Sequence, residues 1–268
     1  MRNMEAGELA ALIDHTLLTP DAKEADFTLL CQQALEFGFF SVCVPLEWVK
    51  HCRQELASTP ALSETKTKKQ NERTLNSVKI ATVVGFPSGA ESIEAKLAQS
   101  VQARSLDVDE IDMVLNRQYV FNFQYEKLFE EISSVVNGFR PHNAARSSST
   151  SDKKTVKVIL EISELNDLQI SAASAIAMAA GADFVKTSTG FSQHGARCEA
   201  VALMRKIVGP EKGVKASGGI KNLEDALNMI AAGANRLGLS RSVAIVGELM
   251  GEKKPTSKGA LKDIGTSY

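Results

Sequence analysis

Short apolar, β-branched runs recur along the 268-residue chain, separated by stretches with helical spacing. That alternation predicts repeated strand–helix units. Strands are expected at about 12–17, 40–44, 79–85, 108–114, 156–162, 183–188, 213–217 and 236–240. Most are apolar on both faces, as in a parallel sheet covered by helices. Between them, Ile93, Leu97 and Val101 fall four apart and share one helix face. Val201, Met204 and Val208 continue the pattern until Gly209-Pro210 stops it. Phe27, Leu30, Ala34 and Phe37 precede Gly38, which suits a helix C-cap, and Asn222 suits the N-cap of a helix running to Gly233.

An internal echo counts the units. Ala179-Ala180-Gly181-Ala182-Asp183 and Ala231-Ala232-Gly233-Ala234-Asn235 each end a helix and open a strand, with their glycines 52 residues apart. Two units of about 26 residues fit that interval, and eight occupy roughly 208, enough for a (β/α)8 barrel. The expectation is therefore an α/β protein with a TIM-barrel fold, residues 1–268 forming a single domain. A doubly wound open sheet is the competing architecture. Two polar stretches, about 57–77 and 138–154, hold little that could be buried and read as mobile inserts. Each lies between a helix and the next strand, hence on the N-terminal face of the barrel, away from the face where barrel enzymes do chemistry.

Bulk composition narrows the function by exclusion. Lys and Arg number 31 against 32 Asp and Glu, which suggests neither nucleic acid nor an anionic membrane as partner. Cys31, Cys43, Cys52 and Cys198 form no CxxC pair, so a reducing, cytoplasmic compartment is expected. Residues 1–9 lack the apolar stretch of a signal peptide, and no run approaches the roughly 18 apolar residues of a membrane span. His15, His51, His142 and His194 show no metal-ligand spacing, so neither a metal nor another cofactor is expected. Trp48 reads as packing for the helix after the second strand.

The informative positions are charges inside apolar strands. Asp112 lies between Ile111 and Met113, Lys186 between Val185 and Thr187, and Lys215 between Val214 and Ala216. Strand alternation turns the charged residue into the barrel lumen. Burying an unpaired charge costs several kcal/mol or more. A plain ion pair of Asp112 with one lysine leaves the second lysine unexplained. Two ammonium groups in one low-dielectric pocket repel, so one loses its proton more easily. A free lysine is only ~0.04% neutral at pH 7, whereas a pKa lowered by about 3 units leaves roughly a quarter neutral. This is the electrostatic setting of a Schiff-base lysine. The same strands lead into glycines: Lys186 into Thr187-Ser188-Thr189-Gly190, and Lys215 into Ala216-Ser217-Gly218-Gly219. The last strand carries Gly238 and Ser240. Glycines after the seventh and eighth strands suit an anion held by backbone N–H groups.

At these residues the chain resembles the deoxyribose-phosphate aldolase family. The matching stretches are Asp14-His15-Thr16-Leu17, Ser41-Val42-Cys43-Val44, 81–87 (ATVVGFP) and 109–114 (DEIDMV), then Lys186-Thr187-Ser188-Thr189-Gly190-Phe191 and 213–219 (GVKASGG). The likeness runs from about residue 10 to 250, interrupted by the two inserts. It implies a cofactor-free class I aldolase that reversibly cleaves 2-deoxy-D-ribose 5-phosphate to acetaldehyde and D-glyceraldehyde 3-phosphate. It also implies that Lys186 forms the imine, with Lys215 and Asp112 as its proton-relay partners. Asp14, Thr16 and Cys43 match positions lining the family's substrate pocket, and Gly190, Ser217, Gly218, Gly219, Gly238 and Ser240 match its substrate- and phosphate-binding segments. Small-molecule phosphosugar and aldehyde partners follow, and a homo-oligomer, dimer or tetramer, is compatible. Arg241-Ser242 departs from the two small residues many members carry after the last strand. The chain ends in Tyr268, a C-terminal tyrosine that some members share. Another class I sugar-phosphate aldolase, or a barrel that has lost catalysis and serves as a binding scaffold, are the alternatives; the costly buried trio speaks against the scaffold.

Overall fold

The computed structural model describes residues 4–58, 78–140 and 154–251. Helix α1 (Ala6–Ala10) precedes β1 (Ile13–Thr16), α2 (Glu24–Phe37), β2 (Ser41–Cys43) and α3 (Val49–Ser58). Then come β3 (Lys79–Val84), α4 (Ile93–Ser105), β4 (Glu110–Val114), α5 (Arg117–Phe121), α6 (Tyr125–Phe139) and β5 (Thr155–Ile159). The chain continues through α7 (Asp167–Ala179), β6 (Phe184–Lys186), α8 (Cys198–Val208), β7 (Gly213–Ser217), α9 (Leu223–Ala231), β8 (Arg236–Leu239) and α10 (Ser242–Leu249). The eight strands are all parallel and close in sequence order, β8 pairing back onto β1 through Asp14↔Gly238. All eight expected strands form, each within two or three residues of its expected bounds, and closure excludes the open doubly wound sheet.

Local chemistry sets the helix ends. The Asn222 side chain accepts a hydrogen bond from the Asp225 N–H, and Gly38 ends α2 in the left-handed region at φ 69°. Gly181 and Gly233, the pair in the internal echo, both take positive φ at the turn from helix to strand. Val201, Met204 and Val208 are buried, and Trp48 stacks on Phe27 with ring centroids 4.4 Å apart. One helix face is the reverse of the hydrophobic reading. In α4 the buried positions are Lys96, Ser100 and Ala103, whereas Leu97 and Val101 are exposed. The reason is a buried ion pair. Lys96 Nζ donates to Glu131 Oε1 of α6 at 2.6 Å and to the carbonyls of Gly89 and Val114, binding the loop after β3 to the end of β4.

The helices α3 and α6 extend into the expected inserts as far as Ser58 and Phe139, and residues 59–77 and 141–153 lie outside the described residues. The flanks, Ser58 before Val78 and Arg140 before Lys154, connect a helix end to a strand start, on the N-terminal side of the barrel. The cores of the strands thus point their C-terminal ends, with Lys186 and Ser217, at the opposite face.

Candidate active site

Each lumen-facing charge is placed by strand register. Lys186 of β6 pairs directly with Lys215 of β7, and Lys215 pairs with Arg236 of β8, so three cations stand side by side. Across the lumen stand Asp14 of β1 and Glu110 and Asp112 of β4. Asp112 pairs in register with Lys157 of β5. Asp112 Oδ2 accepts from both Lys186 Nζ and Lys215 Nζ at 2.8 Å, while Oδ1 accepts from Lys157 Nζ at 2.7 Å. Lys215 also donates to Asp14. Below this layer Lys157 meets Glu110 at 2.6 Å, and Arg236 joins Asp14 at 2.8 Å to Glu110 at 3.1 Å. The Arg236 guanidinium lies 3.4 Å from the centre of the Phe40 ring, which closes the bottom of the lumen.

Electrostatics divides the lysines. Burial lowers the pKa of Lys186; Asp112 opposes that effect, and Lys215 adds to it. Burial also disfavours the charged form of Lys215, but Asp112 and Asp14 outweigh it, and its pKa rises. Lys157 is raised in the same way, by Asp112, Glu110 and Asp14 against burial. Burial pushes the Asp112 carboxyl upward, yet Lys157, Lys186 and Lys215 together hold it well below the usual carboxylate range. Desolvation is thus the main cause of the lowered pKa of Lys186, and repulsion from Lys215 is secondary.

Above Lys186 a cavity of about 300 Å³ opens toward solvent. Thr16, Lys186, Gly190, Ser217, Gly218, Gly219, Gly238 and Ser240 line it, together with Leu18, Thr189, Ile220, Lys221, Leu239 and Arg241. Lys186 is the member of the charged network that reaches it, at 3% exposure; Asp112, Lys215 and Asp14 lie fully buried beneath. Cys43 is also fully buried and packs with Leu18 and Ala81. Burial raises its thiol pKa, so it stays protonated. Gly218 and Gly219 take φ of 79° and 74°, which turns the backbone after β7 across the cavity mouth. Gly238 has a different reason to be glycine. A Cβ there would sit 2.8 Å from Lys215 Cε, so the missing side chain makes room for the lysine. Tyr268 lies outside the described residues, as does His142. A broader depression of about 380 Å³ beside Phe123 and Tyr125 is formed by one surface turn and has no buried charge. Among the described residues no cluster of three or more His, Cys, Asp or Glu could hold a metal ion.

Four functional-looking residues escape the sequence reading. Lys157 meets the same criterion as the trio, a charge between Val156 and Val158 in an apolar strand. Glu110 and Arg236 sit at strand starts, where polar residues are ordinary. Glu161, just past β5, is fully buried at φ 59°, an uncommon conformation for a non-glycine residue. Its carboxylate accepts from the Thr189 N–H at 3.2 Å and from the Thr189 hydroxyl, tying down the loop that lines the cavity.

A profile of the DeoC/LacD family of aldolases matches residues 9–252, nearly the whole described chain. The chain belongs to that family. A deoxyribose-phosphate aldolase of Caldicellulosiruptor saccharolyticus is 45% identical over 245 residues, covering 91% of this chain and 100% of that protein. A crystal structure from Coccidioides immitis, provisionally assigned as a deoxyribose-phosphate aldolase, superposes with a TM-score of 0.78 at 34% identity, over 93% of this chain and 88% of the other. The deoxyribose phosphate aldolase of Aeropyrum pernix, described as a tetramer, gives 0.73 at 28% identity, over 92% of each chain. The aldolase fold and the buried lysine–carboxylate lumen therefore occur together in this chain.

Proposed function

We propose that this aldolase cleaves 2-deoxy-D-ribose 5-phosphate reversibly to acetaldehyde and D-glyceraldehyde 3-phosphate through an imine on Lys186. The observation that carries the reading is one buried amine at the cavity floor, sharing a single carboxylate oxygen with a second lysine that stays charged. Lys186 attacks the open-chain aldehyde carbon, and the hydroxyl of the resulting carbinolamine leaves as water after taking a proton from the Lys215 side. The protonated imine is then the electron sink. The C3 hydroxyl gives up its proton, through water, to the Asp112–Lys215 pair as the C2–C3 bond breaks, releasing glyceraldehyde 3-phosphate. The enamine left on Lys186 takes a proton at C2, and water hydrolyses the acetaldehyde imine. Asp112 stays ionised throughout, orienting both amines, while Lys215 stores the proton. Gly190, Gly218, Gly219, Gly238 and Ser240, with Lys221 and Arg241 at the rim, form the end suited to the phosphate. Thr16, Asp14, Cys43 and Ser217 complete or support the pocket walls.

The imine supplies the electron sink, so the mechanism requires neither a metal nor an organic cofactor. Among the described residues no helix is long and apolar enough to cross a membrane, and the four cysteines are free, in keeping with a cytoplasmic enzyme. Assembly into a homo-oligomer is proposed by analogy with the Aeropyrum pernix tetramer. Borohydride added with acetaldehyde tests the mechanism, and peptide mapping is expected to place the stable adduct on Lys186. An adduct on Lys215 with Lys186 unmodified would reverse the roles.

A further inference from the structure

The mechanism uses Asp112, Lys186 and Lys215, yet the buried network is larger. It contains three carboxylates, Asp14, Glu110 and Asp112, and four cations, Lys157, Lys186, Lys215 and Arg236. These seven side chains are joined without a break, and all are buried. The other groups facing them do not alter the count. Ser41 donates its hydroxyl to Asp14 at 2.8 Å, the Cys43 thiol is neutral, and Phe40 and Phe184 offer only ring faces to Arg236. Lys79 is partly exposed, its Nζ 5.5 Å from the centre of the Phe40 ring, and has no ion pair with the seven among the described residues.

An uncompensated charge is expensive in such a volume. With all seven groups ionised the network carries one surplus positive charge. It becomes neutral if one cation gives up its proton. Arginine does not, and Lys157 and Lys215 each contact at least two carboxylates. Lys157 meets Asp112 at 2.7 Å, Glu110 at 2.6 Å and Asp14 at 3.6 Å. Lys186 contacts one carboxylate oxygen, which it shares. We infer that Lys157, paired with Glu110, which Arg236 also meets, is a positioning residue: it occupies Asp112 Oδ1 and completes a buried charge count that leaves Lys186 as the uncharged amine. Lys157 never reaches the cavity and acts through Asp112. The inference rests on the reading of Lys186 as the nucleophile, but the count can be tested without turnover.

The probe is acetic anhydride, which reacts with neutral amines, applied to the full chain across pH 6 to 10 and read at the Lys186 peptide by mass. In Lys157→Met the count is three carboxylates against Lys215, Arg236 and Lys186, so Lys186 keeps its proton. Its labelling curve is expected to move up by a pH unit or more, about tenfold less labelling at pH 7. In Glu110→Gln the surplus of positive charge grows and the curve moves the other way. The double variant, Lys157→Met with Glu110→Gln, restores the count, and its curve returns toward the wild type. Should Lys157→Met fail to fold, Glu110→Gln and the double variant still decide by sign. A Lys186 curve unmoved in Glu110→Gln, or a double variant no closer to wild type than Lys157→Met, overturns the inference. Neither result touches the imine assignment, which borohydride trapping decides separately.

Discussion

The pKa values of Lys186 and Lys215 shift in opposite directions although the two share one oxygen of Asp112, because Asp14 also meets Lys215 and does not meet Lys186. Replacing Lys215 by leucine leaves Asp112 Oδ2 to Lys186 alone, which favours the ammonium form. Cleavage at pH 7 is expected to fall by 10²-fold or more, through loss of neutral amine and of the proton donor together. Borohydride trapping on Lys186 should recover at pH 9 to 10, where the amine loses its proton without help. Trapping rate against pH is the measurement, and a profile identical to wild type would leave desolvation of Lys186 as the sole cause. A second residue sets stability rather than chemistry. His15 is buried between Gln33 and Ser242, and burial lowers its imidazole pKa to about 4. The unfolded chain takes up a proton near pH 6.5 while the folded chain does not, so stability is lost as pH falls from about 6.5 toward 4, by up to about 1.4 kcal/mol per unit. Urea unfolding at pH 7.5 and 5 should show a smaller drop in His15→Gln than in wild type, and equal drops would remove His15 as the cause.

Among the elements, the loops after β5, β6 and β7 form one assembly at the C-terminal face. Glu161 holds Thr189 from the end of β5, and Ser217 of β7 donates its hydroxyl to the Ser188 carbonyl at 2.6 Å. Gly195 in the β6–α8 loop packs so tightly on Gly218 that a Cβ there would lie 2.0 Å from its backbone. Strained φ at Glu161 costs on the order of 1–3 kcal/mol and persists because these contacts over-determine it. Glu161→Ala removes the tie to Thr189 while leaving the Lys186 network intact. The expected result is a rise in KM for the phosphorylated substrate of about tenfold, equivalent to about 1.4 kcal/mol, with kcat changed less than threefold. Equal losses in kcat and in kcat/KM would instead assign Glu161 to the transition state.

For the molecule as a whole, the barrel separates stability from chemistry by face. The flanks Ser58 and Val78 lie on the N-terminal side, while the cavity opens at the C-terminal ends of the strands. Replacing 59–77 by a short Gly/Ser bridge is expected to leave kcat and KM within about threefold. A tenfold fall in kcat with an unchanged circular dichroism spectrum would mean that the segment supports the site. Exhaustive EDTA treatment should leave turnover unchanged, because the protonated imine does the work a Lewis acid would do elsewhere. Activity lost to EDTA and restored by zinc would remove the imine mechanism.

Strand positions, helix caps and the trio of Asp112, Lys186 and Lys215 were legible in the sequence because each is a local pattern: a period of two, a capping residue, a charge inside an apolar run. Lys157 carried the same pattern and differs from the trio only in its partners, which no local reading supplies. Those partners are set by closure. Asp14 and Arg236 lie 222 residues apart and touch only because β8 pairs with β1. The same non-local packing turns Leu97 and Val101 to the surface and Lys96 inward, since Glu131 of α6 waits there. Gly238 reads as an anion-loop glycine in sequence, and only the packed barrel adds that its missing side chain also makes room for Lys215. The sequence by itself determined which side chains enter the lumen, through strand alternation. Tertiary structure alone decided which partners each lysine meets, because those partners are charges that barrel closure brings together from six strands, and the strength of each pairing depends on its burial.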